Sequence, residues 1–131
     1  MADGATRHQA RERALSLLYE AELKGIAAAD VVAALPVLPD PFALALVGAV
    51  EAHREEADRL LADAAVGWPL ERMAVVDRLV LRLAVAELLE PDGPPVAVVL
   101  DEAVELAKTY STEESGGFVN GVLSTDARRV R

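Results

Sequence analysis

The apolar residues of this chain recur at helical spacing along most of its length. Thr6 and Gln9 form a Ser/Thr-x-x-Gln capping box that opens the first predicted helix, and Gly25 is a suitable residue to end it. The apolar positions of this helix are Ala10, Ala14, Leu17, Leu18 and Ala21. No stretch alternates between apolar and polar residues with a period of two, so the pattern predicts helices without strands. The five residues before Thr6 are expected to be disordered.

A proline-rich connector at residues 36–41 divides the segment that follows. Residues 28–35 predict a short helix that ends at the first of these prolines. Asp40 is an N-cap residue with proline at the next position, and it predicts a helix that runs to about Ala65. The first half of this helix, residues 42–50, is apolar on all sides, whereas the second half is heavily charged. The first half is therefore predicted to be buried or to meet a second subunit.

Two more breaks organise the C-terminal half. A Gly-Trp-Pro break precedes a predicted helix over residues 70–89, which is apolar on most faces and is expected to be the central helix. A rigid turn at residues 91–95 comes next. The apolar stripe of the following helix consists of Val96, Val99, Leu100, Ala103 and Ala107. Ser111 and Glu114 are predicted to cap a last helix, which begins at about Ser115 and runs into an arginine-rich end.

Composition narrows the class of protein. The 131 residues fit one domain over 1–131, and 53% are hydrophobic while only 4% are aromatic. This predicts an all-α, single-domain bundle of about six to seven helices. Cysteine is absent and the two histidines are isolated, so thiol chemistry, disulfides and a metal site are not expected. The polar start does not resemble a signal peptide, and the longest apolar run, residues 41–50, is too short to span a bilayer. We therefore expect a cytoplasmic protein with no membrane segment and no cofactor.

The charge is unevenly distributed. The net charge of −9 argues against a protein that coats nucleic acid unaided. Residues 7–13 nevertheless hold three arginines against one glutamate, and residues 126–131 hold three against one aspartate. An acidic body with basic ends suggests two partners of opposite charge. An ordinary solvated acidic surface is the alternative.

The basic start of the first helix is a candidate nucleic-acid contact. Arg7 and Arg11 are four residues apart and so lie on the same side of the helix, with His8 beside them and Arg13 on the opposite flank. Guanidinium groups bind phosphate through bidentate, charge-assisted hydrogen bonds, and a helix start leaves free backbone N–H groups for an anion. The alternative is that these are ordinary solvated arginines.

A second candidate lies near the start of the last helix. Phe118 follows Gly116 and Gly117, where an aromatic ring is well placed to stack on an unpaired base. Asn120 is suited to a hydrogen bond with a base edge. The alternative is that Phe118 belongs to the core.

These segments resemble the NusB family of bacterial transcription antitermination factors. The resemblance rests on the arginine-bearing residues 7–14 with Leu-Leu-Tyr-Glu at 17–20, on the helix of residues 95–108, and on residues 111–123 with their Phe-Val-Asn-Gly-Val-Leu run. It implies a NusB-like fold and a non-enzymatic function: binding the boxA element of ribosomal RNA transcripts together with NusE, a basic ribosomal protein, within the RNA polymerase antitermination complex.

The resemblance also assigns residues. It implies RNA contacts at Arg7, His8, Arg11 and Arg13 and, near the last helix, at Phe118 and Asn120. It implies that Tyr19, Glu71 and Asp77 form part of the surface that binds NusE. For Glu71 and Asp77 the alternative is local pairing with Arg72 and Arg78.

Two other functions remain open from the sequence. One is an RNA-binding module associated with ribosomal RNA methylation, an enzyme class that shares this fold but requires a further cofactor-binding domain with a Gly-rich loop. The other is a helical protein–protein adaptor or homodimer without RNA binding, for which the apolar residues 41–50 would serve.

Overall fold

The protein is an all-helical bundle in a computed structural model that describes residues 6–131. The expectation of disorder for residues 1–5 falls outside the described residues. Within residues 6–131 there are seven α-helices and no strand, which confirms the predicted class. The helices are α1 Arg7–Lys24, α2 Ala28–Ala33, α3 Pro41–Ala52, α4 Arg54–Ala64, α5 Val75–Leu89, α6 Val96–Tyr110 and α7 Ser115–Val130.

The first helix begins and ends as its sequence predicts. The Thr6 hydroxyl accepts a hydrogen bond from the Gln9 backbone N–H at 3.0 Å, and the Gln9 side chain accepts one from the Thr6 N–H, also at 3.0 Å. Gly25 ends the helix in the left-handed region at φ +66°, which costs glycine little. Because both ends are fixed locally, the direction of α1 and the placement of its polar side chains are well defined.

The helix predicted to run from Asp40 to about Ala65 is instead two helices. The Asp40 cap is present, since its carboxylate accepts the Phe42 N–H at 2.9 Å, but α3 ends at Ala52 and α4 begins after His53. His53 leaves helical geometry at φ −102° and ψ 11°, and its Nε2 lies 2.7 Å from a carboxylate oxygen of Glu90. The bend redirects α4, so that its own narrow apolar stripe, with Leu61 fully buried, reaches the core.

The central helix is confirmed, although it begins five residues later than predicted. Residues Leu70–Arg72 form a short 3-10 turn, and α5 starts at Val75. This helix packs against α1, α3, α4, α6 and α7 and is buried on nearly every side. Its charged residues therefore need partners: Arg82, for example, donates to Asp58 of α4 at 2.7 and 3.1 Å.

The last helix starts where predicted but is capped by a different residue. The Thr112 hydroxyl accepts the Ser115 N–H at 3.2 Å, and the Ser115 hydroxyl accepts the Thr112 N–H at 3.3 Å. The prediction that Ser111 and Glu114 cap this helix is wrong, because Glu114 is already helical at φ −71° and ψ −22° and its side chain caps nothing. None of the helices in residues 6–131 combines the length and apolar character needed to cross a bilayer.

Candidate nucleic-acid and partner interface

The start of α1 presents a mixed surface of basic and acidic side chains. Arg7 is exposed, and its guanidinium lies over the ring of Phe42 at 3.9 Å from the centroid. His8 Nδ1 lies 3.0 Å from a carboxylate oxygen of Glu102, and its Nε2 lies 3.6 Å from Glu12. Arg13 is exposed. The basic character of this helix start is thus already shared with two carboxylates.

Arg11 does not lie at the surface beside Arg7. Its side chain is buried, with Nε 2.9 Å and Nη2 2.7 Å from the two carboxylate oxygens of Glu87, and Nη1 3.4 Å from Glu102. The hydrogen bond with Glu87 holds the pKa of Arg11 above its ordinary value, so the guanidinium stays charged. The predicted alternative of an ordinary solvated arginine is wrong for Arg11, because buried Glu87 on α5 needs a counter-charge and Arg11 supplies it.

Farther along α1, two tyrosines line a cleft of about 420 Å³. Tyr19 is 39% exposed, which agrees with a contact role, and Tyr110 comes from the end of α6. The Tyr110 hydroxyl donates to Glu12, and this hydrogen bond raises the pKa of Tyr110. Sequence reasoning missed Tyr110. Its one signal was an aromatic residue at the last position of an amphipathic helix.

Phe118 lies in a second cleft, of about 360 Å³, together with Trp68 and Asp77. The Phe118 and Trp68 rings have centroids 6.4 Å apart and are tilted by 57°. Asp77 is 9% exposed; its Oδ2 accepts the Ser115 hydroxyl at 3.1 Å, and its Oδ1 has no hydrogen-bond partner among the described residues. Phe118, predicted as an RNA contact, therefore shares a cleft with Asp77, predicted as a partner contact.

The remaining candidates are exposed. Asn120 lies on the surface of α7, and Glu71 lies on the 3-10 turn before α5. The predicted alternative of local pairing is wrong for Asp77, because Arg78 donates to Glu22 of α1 at 2.9 Å and to the Leu70 carbonyl at 3.2 Å. Among the described residues Glu71 has no salt bridge with Arg72 either.

The candidate residues sort into two groups at opposite ends of α5. Arg7 and Arg11 lie near Glu87, whereas Tyr19, Asp77 and Phe118 lie near the helix start. Ten residues separate Asp77 from Glu87, which is about 15 Å along a helix. An extended ligand is needed to contact both groups at once. Within residues 6–131, no cluster of histidine and carboxylate side chains is arranged to hold a metal ion.

Comparisons with known proteins agree with this architecture. The family model described as NusB family matches residues 8–128. The chain is similar to T. maritima NusB in a crystal structure. The two sequences are 33% identical, and the match covers 95% of this chain and 92% of that one with a TM-score of 0.86. It is 32% identical to a solution structure of NusB from Aquifex aeolicus, covering 93% and 87% with a TM-score of 0.77. It is also 32% identical to a chain in a crystal structure of the antitermination factors NusB and NusE in complex with dsRNA, covering 94% and 96% with a TM-score of 0.79.

Proposed function

The chain belongs to the NusB family, and from this membership we infer that it is a transcription antitermination factor that binds boxA RNA together with NusE in ribosomal RNA operons. The observation that carries the proposal is the similarity, over 94% of the chain, to a protein solved with NusE and RNA. In this proposal the protein acts by binding, without a catalytic step, as part of the RNA polymerase antitermination complex. Action on nascent transcripts places it in the cytoplasm.

For RNA, we assign direct contacts to the exposed side chains at the start of α1. Arg7, His8 and Arg13 stand around a helix N-terminus, where backbone N–H groups and positive charge attract phosphate. Arg11 serves as a positioning residue in this proposal, because its buried pair with Glu87 holds α1 against α5. The RNA contact is thereby fixed in direction even though one arginine is unavailable to phosphate.

A second RNA contact is proposed at Phe118 and Asn120 on α7; Phe118 lies beside Asp77, which is about 15 Å along α5 from Glu87. A single-stranded segment reaches across that distance, with bases stacking on Phe118 and hydrogen-bonding with Asn120. The neighbouring carboxylates Asp77 and Glu114 repel phosphate, so contacts to bases fit this end better than contacts to the backbone.

For NusE, we assign the surface formed by Tyr19, Glu71 and Asp77. Exposed tyrosine next to carboxylates suits a basic partner, since the ring supplies apolar area and the charges supply complementarity. Asp77 lines the Trp68–Phe118 cleft, and its buried Oδ1 has no hydrogen-bond partner among the described residues. A cationic side chain entering this cleft finds both a carboxylate and two aromatic rings.

The homodimer or adaptor alternative receives less support. The apolar residues that suggested it, within Pro41–Ala52, are mostly used in the chain's own core, where Ala43, Leu46, Val47 and Val50 are buried. An RNA-binding module linked to ribosomal RNA methylation stays an alternative prediction.

The direct test is an electrophoretic shift and salt titration with boxA RNA, with and without NusE. We expect the Arg7→Ala, Arg13→Ala double variant to bind RNA more weakly and to lower the salt slope by about 1.4, because each phosphate contact to a single strand contributes about 0.7. Arg59→Ala, an exposed position on α4, is the matched control. Unchanged RNA affinity in the double variant would remove the helix start from the interface. If the parent protein does not bind boxA RNA even in the presence of NusE, the proposed function is contradicted.

A further inference from the structure

A groove of about 480 Å³ lies between the start of α1, the first turns of α3 and the turn before α6. Its apolar floor comes mainly from Phe42, Ala45, Ala49 and Val98. Phe42 is half-buried, and it packs against the core. The volume is in the range of small-molecule sites, and the lining is more apolar than expected for a bed of phosphates.

Two arginines converge on the Phe42 ring. The guanidinium carbon of Arg7 lies 3.9 Å from the ring centroid and that of Arg11 lies 5.6 Å from it. A planar guanidinium over an aromatic face is held by cation–π attraction, which limits the orientations available to the long arginine side chain. Arg7 is exposed, so the side of its guanidinium that faces away from the Phe42 ring is open to a second flat group.

Two of the three carboxylates that line the groove are engaged by other side chains. Glu87 is bound by Arg11, and Glu90 lies 2.7 Å from His53 Nε2. Asp92 is exposed at the rim. A phosphate entering the groove meets these acidic groups, whereas an uncharged base avoids their repulsion and uses the apolar floor. The charge pattern therefore favours a base inside the groove with its phosphates outside, near the basic start of α1.

We propose that Phe42 and Arg7 form a stacking shelf that holds one unpaired base of single-stranded RNA in this groove. The inference rests on the proposed RNA-binding function and adds a site to it: Phe42 positions the Arg7 guanidinium, and the base stacks on the guanidinium plane. Arginine planes and aromatic rings are both recognised platforms for unstacked bases. The site selects for a flat, unpaired base over a phosphate group.

The test uses the full chain with NusE and boxA RNA carrying 2-aminopurine at one position at a time. Stacking quenches the fluorescence of this base, so at least one position is expected to be quenched in the parent complex. Arg7→Lys keeps the charge but removes the plane. We expect it to restore the fluorescence and to weaken RNA binding by about 10-fold, with the salt slope unchanged. Arg59→Lys on α4 is the matched control.

Phe42 is tested in the same assay. Phe42→Leu keeps an apolar side chain but removes the ring, and it should reproduce the Arg7→Lys result while NusE affinity stays at the parent value. Phe42→Tyr retains the ring and should retain the quenching. Thermal unfolding shows whether each variant folds. If Phe42→Leu does not fold, Arg7→Lys still tests the inference, because Arg7 is exposed.

Three results would overturn the inference. If every position that is quenched in the parent complex stays quenched in both Arg7→Lys and Phe42→Leu, no base stacks on the shelf. Equal RNA affinity of these variants and the parent removes the shelf, although the proposed function stands as long as the parent binds boxA. Sedimentation that shows a parent dimer and a Phe42→Leu monomer with unchanged RNA affinity identifies the groove as a surface for a second copy. Failure of the parent to bind boxA at all is a failure of the proposed function instead.

Discussion

Asp126 on α7 is the least satisfied charged residue in the described part of the chain. It is fully buried, and neither carboxylate oxygen has a hydrogen-bond partner among residues 6–131. Burial raises its pKa to about 6; nearby Arg129 lowers the pKa and Asp63 raises it further. At neutral pH the folded protein therefore holds a buried carboxylate at a cost in free energy.

The free energy of unfolding is expected to depend on pH because of Asp126. Because the folded pKa exceeds the unfolded one, the native state binds the proton more tightly. The resulting stabilisation is complete below the ordinary pKa of aspartate and is lost as the pH rises through about 6. We expect the unfolding free energy of the parent, relative to Asp126→Asn, to fall by about 2 kcal/mol between pH 4 and pH 7.5. Urea unfolding at several pH values measures this, with exposed Glu105→Gln as control. A pH-independent difference would mean that Asp126 is not desolvated.

Single residues also mark where sequence reasoning reached its limit. Arg7 and Arg11 look equivalent in the sequence, yet one lies on Phe42 at the surface and the other is buried. The difference depends on Glu87, which is 76 residues away and becomes a neighbour only after α1 packs on α5. Similarly, Phe118 joins Asp77 through the packing of α7 on α5. Side-chain type predicted the chemistry of these residues, but partners distant in sequence decided which of them face solvent.

At the scale of elements, two glycines differ in the space that a side chain would have. Gly121 lies in the middle of α7, and a Cβ built there meets nothing within 4 Å. At Gly93, in the turn between α5 and α6, a Cβ collides with the Glu87 carbonyl and lies 2.7 Å from Arg131 Nη2. The Arg131 guanidinium donates to the carbonyls of Glu87 and Leu88 at 3.1 Å each, and so it satisfies the C-terminal end of α5.

Alanine at the two positions should therefore have effects of opposite sign. Gly121→Ala should raise the unfolding free energy by about 0.5–1 kcal/mol, because it lowers the entropy of the unfolded chain without a clash. Gly93→Ala should lower it by about 1–3 kcal/mol, since backbone and Arg131 must both move. Chemical denaturation of the two variants in parallel is the measurement. Equal shifts of the same sign would show that the turn adapts without loss of the Arg131 contacts.

Helix boundaries were predictable wherever the signal was local. The capping box at Thr6 and the N-cap at Asp40 act within four residues, and both were read correctly from the sequence. The break at His53 was not, because nothing local forbids a continuous helix there. It is associated with the His53–Glu90 contact and the turn of α4 toward α5. Thr112 was overlooked as a cap because Ser111 is an equally good candidate by residue type.

At the scale of the whole molecule, the bundle was predictable and the arrangement of its sites was not. Hydrophobic periodicity identified the buried central helix, since α5 has apolar residues on nearly all faces. Periodicity does not report which polar residues of different helices meet. The antiparallel packing of α1 and α5, shown by the Arg11–Glu87 and Arg78–Glu22 contacts, separates the arginines from Phe118.

RNA and NusE are expected to bind this protein cooperatively. The net charge of −9 repels RNA at long range, and a basic partner docked on Tyr19, Glu71 and Asp77 covers part of that acidic surface. The cleft that holds Asp77 also holds Phe118, so a partner seated there fixes the ring that we assign to RNA. We expect NusE to raise boxA affinity by at least about fivefold, and linkage requires boxA RNA to raise NusE affinity by the same factor.

A cycle of four binding constants at one salt concentration measures this coupling in both directions. The exposed Tyr19→Ala variant should weaken NusE binding while leaving RNA affinity without NusE unchanged. Asp77→Asn should lower the coupling free energy between NusE and RNA by more than it lowers the free energy of unfolding. The amide oxygen still accepts the Ser115 hydroxyl, but the neutral side chain no longer attracts a cation. A coupling factor near one in the parent would leave the fold and both binding surfaces in place. It would show, however, that the two ligands bind at surfaces that do not influence each other, which contradicts a shared Asp77–Phe118 cleft as the link between them.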